Sequence, residues 1–352
     1  MMAQENGKSP IRVVQWATGT VGAFAMRAVI EHPAMELVGV RVYSAAKEGK
    51  DAGELCGLAA TTGVKATRDS EAILALKPDC VIYMPESTNA DDVCRLLENG
   101  INVVTTRTDF FNPGTMDPAL RERVEAACAR GGASIHATGS SPGFITEALP
   151  LTVLSLVRRL DFLAIEEYAN CREGCSEEML TGIMGFGDTP EAFAKRHTPD
   201  HASFEHSLSV LATGIGMPIE RFEYHIEAAV CRSETKLHKS TIPAGSIGGQ
   251  RVSVTGIHDG RPLIRFRSNW YVTKDLEPAW DLALPGDGWR LTVEGDTPID
   301  MLIDLPMPIE TDMRASGRYT AHRPVNAIPH LVAAEPGIVP TTSLPHVSAR
   351  LG

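Results

Sequence analysis

From Ile11 to about residue 150, short apolar runs alternate with helix-patterned stretches, and little else separates them. IRVVQW (11–16) reads as a buried strand, Val21–His32 as a helix stopped by Pro33, and MELVGVRVY (35–43) as a second strand. SEAILAL (70–76) follows as a helix, and CVIYM (80–84), closed by Pro85, as a third strand. NADDVCRLLENG (89–100) is an amphipathic helix with an acidic first turn and a glycine stop. INVVTT (101–106), PALRERVEAACARGG (118–132) and SIHAT (134–138) continue the series as strand, helix, strand. Strands without a polar face, joined by helical crossovers, predict a parallel sheet covered on both sides. The expected class is α/β, a Rossmann-type doubly wound parallel sheet.

The first strand runs into Ala17-Thr18-Gly19-Thr20-Val21-Gly22, which fits G-x-G-x-x-G with alanine in the first position. Such a turn brings backbone N–H groups and a helix N-terminus to a diphosphate. Gly19 permits the close approach, and Gly22 permits tight packing of helix on strand. Ala17, Thr18, Gly19, Thr20 and Val21 are therefore expected to hold a dinucleotide. The alternative is a glycine bend that binds nothing.

An NAD-preferring site usually ends its second strand in Asp or Glu, which binds the ribose hydroxyls. Here the tip reads Arg41-Val42-Tyr43-Ser44-Ala45-Ala46-Lys47, with no carboxylate. Ser44 and Lys47 suit a 2′-phosphate, with Lys50 or Arg41 in support. NADP is the preferred cofactor on this pattern, and NAD is the alternative.

After about Leu151 the βαβ grammar stops. LDFLAIEEYAN (160–170) is ambiguous between strand and helix, and EEMLTGIMGFG, TPEAFAKRH and EHSLSVLATGIGM read as helices. RFEYHIEAAVCR, QRVSVTGIHDGRPLIRFRSNWYV and GWRLTVEGD read as strands, with a hairpin turn at HDGRP (258–262). A second α+β domain on an open, mostly antiparallel sheet is expected. At 352 residues, two domains suit the length. The expected divisions are 1–150 for the dinucleotide domain, 151–320 for a substrate and dimerisation domain, and 321–352 for a segment returning to the first.

In open α/β sheets, ligands collect at the carboxyl ends of the strands. Two loops qualify. Arg107-Thr108-Asp109-Phe110-Phe111-Asn112-Pro113 follows INVVTT, and Gly139-Ser140-Ser141-Pro142-Gly143-Phe144 follows SIHAT. Asp109 is the only carboxylate of the first loop, and it suits proton transfer or ammonium binding. The competing reading is a solvated turn aspartate. Thr106 and Arg107 are placed at the cofactor, Arg107 binding a phosphate, a substrate carboxylate or Asp109 itself. Phe110, Ser140, Ser141, Phe144, Phe186 and Trp270 are candidate pocket walls. His136 is expected to be a buried, hydrogen-bonded histidine, and Glu147 a first-turn helix carboxylate.

No metal is expected. His197, His201 and His206 lack an H-E-x-x-H pattern, and Cys171 and Cys175 lack a second pair to complete a zinc site. The seven cysteines are scattered and odd in number, as in a reducing compartment. The short polar N-terminus and the lack of any apolar run near the ~20 residues of a membrane span predict a cytoplasmic protein. A formal charge of -11 argues against nucleic acid or an anionic membrane as partner. The expected partners are a small-molecule substrate and a second copy of the chain.

VVQWATGTVG (13–22), VYSAAKEGKDAGELCG (42–57), TTRTDFFNPG (105–114), HATGSSPGFITE (136–147) and FRSNWYV (266–272) together resemble one family. It is the dihydrodipicolinate-reductase-like dehydrogenases, which include 2,4-diaminopentanoate dehydrogenase and the native amine dehydrogenases. The resemblance implies a dimeric NAD(P)H-dependent oxidoreductase that reversibly deaminates an amine to a ketone or aldehyde. It also implies a glutamate after the fifth strand that holds the substrate ammonium, and Asp109 matches that region with one methylene fewer. The His-His…Lys and S-G-T-A signatures of true dihydrodipicolinate reductases are absent, so lysine biosynthesis is not expected. Two alternatives stay open. One is reduction of a carbonyl or activated alkene, with Ser140 or Ser141 on the oxygen. The other is a nucleotide-binding sensor without turnover.

Overall fold

Apolar side chains on both faces of each early strand need cover on both sides, and the computed structural model supplies it. The structure describes residues 9–175, 177–196, 202–284, 286–306 and 316–351. In the first half the elements are β1 (Ile11–Trp16), α1 (Thr20–Ile30), β2 (Met35–Arg41), α2 (Ala52–Leu55), β3 (Ala66–Thr67), α3 (Ser70–Ala75), β4 (Cys80–Tyr83), α4 (Ala90–Glu98), β5 (Asn102–Thr105), α5 (Pro118–Gly131) and β6 (Ser134–Ala137). Neighbouring strands pair in parallel in the order β6-β5-β4-β1-β2-β3.

Adjacent residues of β1 show why the sheet is double-sided. Val13 packs with Phe24, Met26 and Val29 of α1, whereas Val14 packs with Val93 and Leu97 of α4 and Val124 of α5. Local chemistry sets the helix ends. Asn89 Oδ1 accepts from the backbone N–H groups of Asp91 and Asp92 at 3.0 and 3.3 Å. Asp117 caps α5, Pro118 fills its first position, and Gly132 ends it at φ +67°.

The second half contains α6 (Leu149–Leu154), β7 (Leu160–Asn170), α7 (Cys171–Gly174), α8 (Pro190–Arg196), α9 (Ala202–Gly214), β8 (Arg221–Cys231), a short pair β9 (Thr235–Lys236) and β10 (Thr241–Ile242), β11 (Ile247–His258), β12 (Arg261–Tyr271), β13 (Leu276–Glu277), β14 (Gly288–Gly295) and β15 (Ile299–Asp304). Seven of these strands form one sheet in the order β13-β8-β11-β12-β7-β14-β15. Every pairing is antiparallel except β12 with β7. The β11–β12 hairpin turns through Asp259 and Gly260, at φ +47° and +70°. Phe204 of α9 stacks on Phe266 of β12 at 4.0 Å, so this helix covers one face of the sheet.

The chain then supplies α10 (Ser316–Val332) and β16 (Gly337–Ile338), which pairs in parallel with β6. It divides into two compact units, Met1–Phe144 with Gly317–Gly352, and Ile145–Ser316.

One open alternative is decided, and two segments differ from the sequence reading. LDFLAIEEYAN is a strand, because Leu163 and Ile165 are buried on the sheet. Ile299–Asp304 is an additional edge strand. The final helix starts at Ser316 and contains Pro324 and Pro329. Burial of Ala321, Val325, Ile328 and Leu331 against the core outweighs the helix-breaking tendency of the two prolines.

Candidate active site

At the carboxyl edge of β1 the chain turns sharply. Ala17 sits at φ +73°, where glycine would be unstrained. The buried side chain of Gln15 holds it there, donating from Nε2 to the Ala17 carbonyl at 2.7 Å. Gly19 is the N-cap of α1, without a side-chain cap, and no acidic residue stands in the first turn. A Cβ on Gly19 would meet nothing within 4 Å, whereas one on Gly22 would lie 2.3 Å from the Ala17 carbonyl oxygen. The two glycines therefore do different work. Gly22 lets helix and turn touch, and Gly19 leaves open space over uncapped amides, which fits a diphosphate. Thr20 and Val21 form the first turn of α1.

Beyond β2, Lys47 reaches back over this turn. Its Nζ donates to the Thr18 carbonyl at 2.7 Å and lies 3.2 Å from the Thr18 hydroxyl. Ser44 caps the short turn before Lys47, accepting from Ala46 N at 3.2 Å. Arg41 stacks over Trp16 and Tyr43, 5.3 and 4.6 Å from the ring centres, and donates to Ser70 Oγ at 3.1 Å. Lys50 pairs with Glu54 at 2.6 Å. All four residues expected at a 2′-phosphate have protein partners, and of them Ser44 and Lys47 belong to the short turn just beyond β2.

The loop after β5 forms a polar knot. Thr105 Oγ1 donates to the Tyr83 carbonyl and accepts from Arg107 N. Thr106 is half-buried beside them. Arg107 donates to Thr88 Oγ1 at 2.9 Å, the Glu86 carbonyl at 2.7 Å and Asp109 Oδ2 at 3.2 Å. Thr88 Oγ1 donates to the same Asp109 oxygen at 2.7 Å. Asp109 is thus fixed through Oδ2, with its side chain 36% exposed. Thr88 had no distinguishing sequence signal; it is found only because β4 and β5 are neighbours.

Phe110, an expected pocket wall, is instead fully buried with Val103, Val124 and Ile135. Its ring serves the core, where removal from water is most favourable. Phe186 is also core, packed with Leu180, Met184 and Phe193. Trp270 is half-buried on β12, its indole N–H donating to Glu167 at 2.9 Å.

In the loop after β6, Ser140 Oγ and Thr320 Oγ1 are 2.8 Å apart, which ties α10 to this edge of the sheet. The buried Ser141 Oγ has no hydrogen-bond partner among the described residues. Phe144 is half-buried, with the Arg323 guanidinium 6.0 Å from its ring centre. Gly143, at φ +122°, would place a Cβ 2.9 Å from Thr138 Oγ1. His136 is buried, with Nδ1 2.8 Å from the Val339 carbonyl, and burial pushes its pKa down to about 4. Glu147 is fully buried, not a helix-end carboxylate; Ser207 Oγ of α9 donates to it at 2.6 Å.

His197 and His201 lie outside the described residues. Among the described residues no group of three or more His, Cys, Asp or Glu side chains is arranged to hold a metal. No described helix is long and apolar enough to cross a membrane.

Residues 12–130 match the dihydrodipicolinate reductase N-terminus family, and residues 177–352 match the 2,4-diaminopentanoate dehydrogenase C-terminal domain family. An amine dehydrogenase of Streptomyces virginiae is 30% identical over 349 residues, covering 95% of this chain and 96% of the relative. The chain belongs to the amine dehydrogenase family. The 2,4-diaminopentanoate dehydrogenase of Acetoanaerobium sticklandii is 22% identical over 267 residues, covering 74% of this chain and 71% of that one. The fold is that of an amine dehydrogenase from Mycobacterium smegmatis, with a TM-score of 0.76 at 20% identity and coverage of 97% and 98%.

Proposed function

We propose that this chain is an NAD(P)H-dependent amine dehydrogenase that interconverts a small-to-medium amine and its ketone or aldehyde. The carrying observation is Asp109, a carboxylate fixed by Thr88 and Arg107 at the carboxyl edge of the sheet that also holds the open Gly19 turn. The whole-chain likeness to an amine dehydrogenase supports it.

The α1 N-terminus, Thr18 and Lys47 hold the diphosphate and ribose end of the cofactor. A nicotinamide held there would supply the hydride acceptor for deamination of the amine carbon and the hydride donor for the reverse reaction. Asp109 holds the substrate nitrogen as ammonium or iminium by charge, and takes up or releases its proton. Arg107 and Thr88 hold that carboxylate in place through Oδ2. In deamination, water adds to the iminium carbon and ammonium leaves, giving the carbonyl product.

NADP is preferred over NAD in this reading, because the β2 tip offers Ser44 and Lys47 and no carboxylate. The enzyme is a cytoplasmic homodimer. Self-association is supported by the second sheet, whose face opposite Phe266 carries half-buried Glu166, Arg265 and Arg267. Reduction of a carbonyl or activated alkene is the second reading, favoured by the Ser141 hydroxyl, which has no hydrogen-bond partner among the described residues.

A thermal-shift comparison of NADP+ and NAD+, then an amine, ketone and aldehyde panel followed at the nicotinamide absorbance, tests the function. Stabilisation by cofactor with ammonium-dependent ketone reduction is expected. Cofactor binding without turnover of any amine or carbonyl would instead leave a nucleotide-binding protein.

A further inference from the structure

β7 carries two adjacent glutamates, and strand alternation sends them to opposite faces of the second sheet. Glu166 is neutralised. Arg267 and Arg265 lie 3.4 and 3.6 Å from its Oε1, and Tyr168 donates to Oε2 at 2.6 Å. Glu167 is treated differently. Among the described residues no cation lies within 4.0 Å of it, and its partners are two indoles. Trp270 Nε1 donates to Oε1 at 2.9 Å, and Trp289 Nε1 to Oε2 at 3.2 Å.

The register explains the arrangement. Trp289 stands directly opposite Glu167 on β14, and Ser268 stands opposite it on β12, two residues before Trp270. The strand neighbours on that face are Ile165, Ala169, Phe266, Leu291 and the buried Ser268, none of them charged. A half-buried carboxylate is therefore fixed at both oxygens by neutral donors, with no counter-charge in pairing distance among the described residues. Each oxygen has two acceptor positions, and one on each is used. Keeping a lone charge partly out of water is costly unless a counter-charge arrives. An alkylammonium supplies that charge and three N–H donors, and its alkyl part suits indole walls.

We propose that Glu167, held between Trp270 and Trp289, is a binding site for an alkylammonium group, separate in its residues from Asp109. The proposal stands apart from the amine dehydrogenase reading, in which Asp109 holds the substrate nitrogen. Binding itself needs no turnover.

The test is titration of the full chain with n-butylammonium, followed by tryptophan emission, beside 1-butanol as the uncharged control. A saturable change is expected in the wild type. Glu167→Gln should weaken butylammonium about tenfold or more, with 1-butanol, cofactor affinity and Tm unchanged. Asp109→Asn should leave this titration as it was. Equal butylammonium affinity in Glu167→Gln and wild type overturns the site, as does equal loss for 1-butanol or no saturable signal in the wild type. If Glu167→Gln does not fold, Trp270→Phe removes one donor and keeps the charge; a few-fold weakening is expected, and none overturns the proposal. Glu167-dependent binding without amine turnover would remove the proposed function and keep the site. Amine turnover with no effect of Glu167→Gln on butylammonium would do the reverse.

Discussion

Lys47 Nζ donates to the Thr18 carbonyl at 2.7 Å, so a lysine from the tip of the second strand lies on the turn that follows the first. The contact places a cation over the turn where the proposed dinucleotide's ribose end would lie, and residues 41–47 include no carboxylate to oppose a 2′-phosphate. Lys47→Ala is expected to weaken NADP+ about tenfold, the size of one charge-assisted contact, and to change NAD+ less than twofold. Equal losses for both cofactors would show that Lys47 serves the turn and not the phosphate. Calorimetric titration of each cofactor decides it.

Asp109→Asn preserves shape and removes charge. Turnover in both directions should fall about 10²- to 10³-fold, as for loss of a positioned acid–base group, with cofactor affinity unchanged. Asp109→Glu should keep activity within about tenfold, since the resemblance implies a glutamate there and Oδ2 alone is anchored. Steady-state kinetics with separate cofactor titration read both variants. An Asp109→Asn enzyme of normal kcat would rule Asp109 out of the chemistry.

Gly22→Ala puts a methyl group 2.3 Å from the Ala17 carbonyl oxygen, a backbone atom that cannot swing away. A cost of about 1–3 kcal/mol is expected from this overpacking, together with weaker cofactor binding as the turn is displaced. Gly19→Ala meets open space and should cost little stability in the absence of cofactor while still impairing binding. Melting curves with and without NADP+ separate the two glycines.

Acid sensitivity should come in two stages. The folded state holds buried His136 neutral, with its pKa lowered to about 4 against about 6.5 in the unfolded chain. The unfolded state therefore binds the proton first, and stability falls with pH between about 6.5 and 4, by on the order of 3 kcal/mol. His136→Gln, which can still donate to the Val339 carbonyl, should flatten that slope. Asp51 acts lower on the scale. It accepts hydrogen bonds from Thr62 N, Gly53 N, Gly63 N and the Thr62 hydroxyl, and its pKa is lowered to about 2, chiefly by the Thr62 N–H. Its stabilisation is complete above about pH 4 and is lost as pH falls toward 2. Asp51→Asn should lower Tm at neutral pH, with the gap to wild type closing over that lower range. A Tm-against-pH series for the two variants checks both stages.

The alternation of apolar strands and amphipathic helices, and the A-T-G-T-V-G turn at the first crossover, were readable because their physics is local. Burial on two faces imposes continuous hydrophobic runs, caps and glycine stops mark helix ends, and a glycine too close to a carbonyl admits no side chain. The loop carboxylate at Asp109 was also visible, since strand ends in a parallel sheet collect ligands. What surrounds Asp109 was not. Thr88 reaches it only because β4 and β5 are neighbours in the sheet, and Ser140 meets Thr320 across 180 residues of chain. The same limit turned Phe110 and Phe186 from expected pocket walls into core. An aromatic beside a functional loop looks alike in sequence whether it faces solvent or the interior. Glu167 shows the division most plainly. Next to Glu166 it reads as half of an acidic pair, and only the register of three strands gives one carboxylate two arginines and the other two indoles.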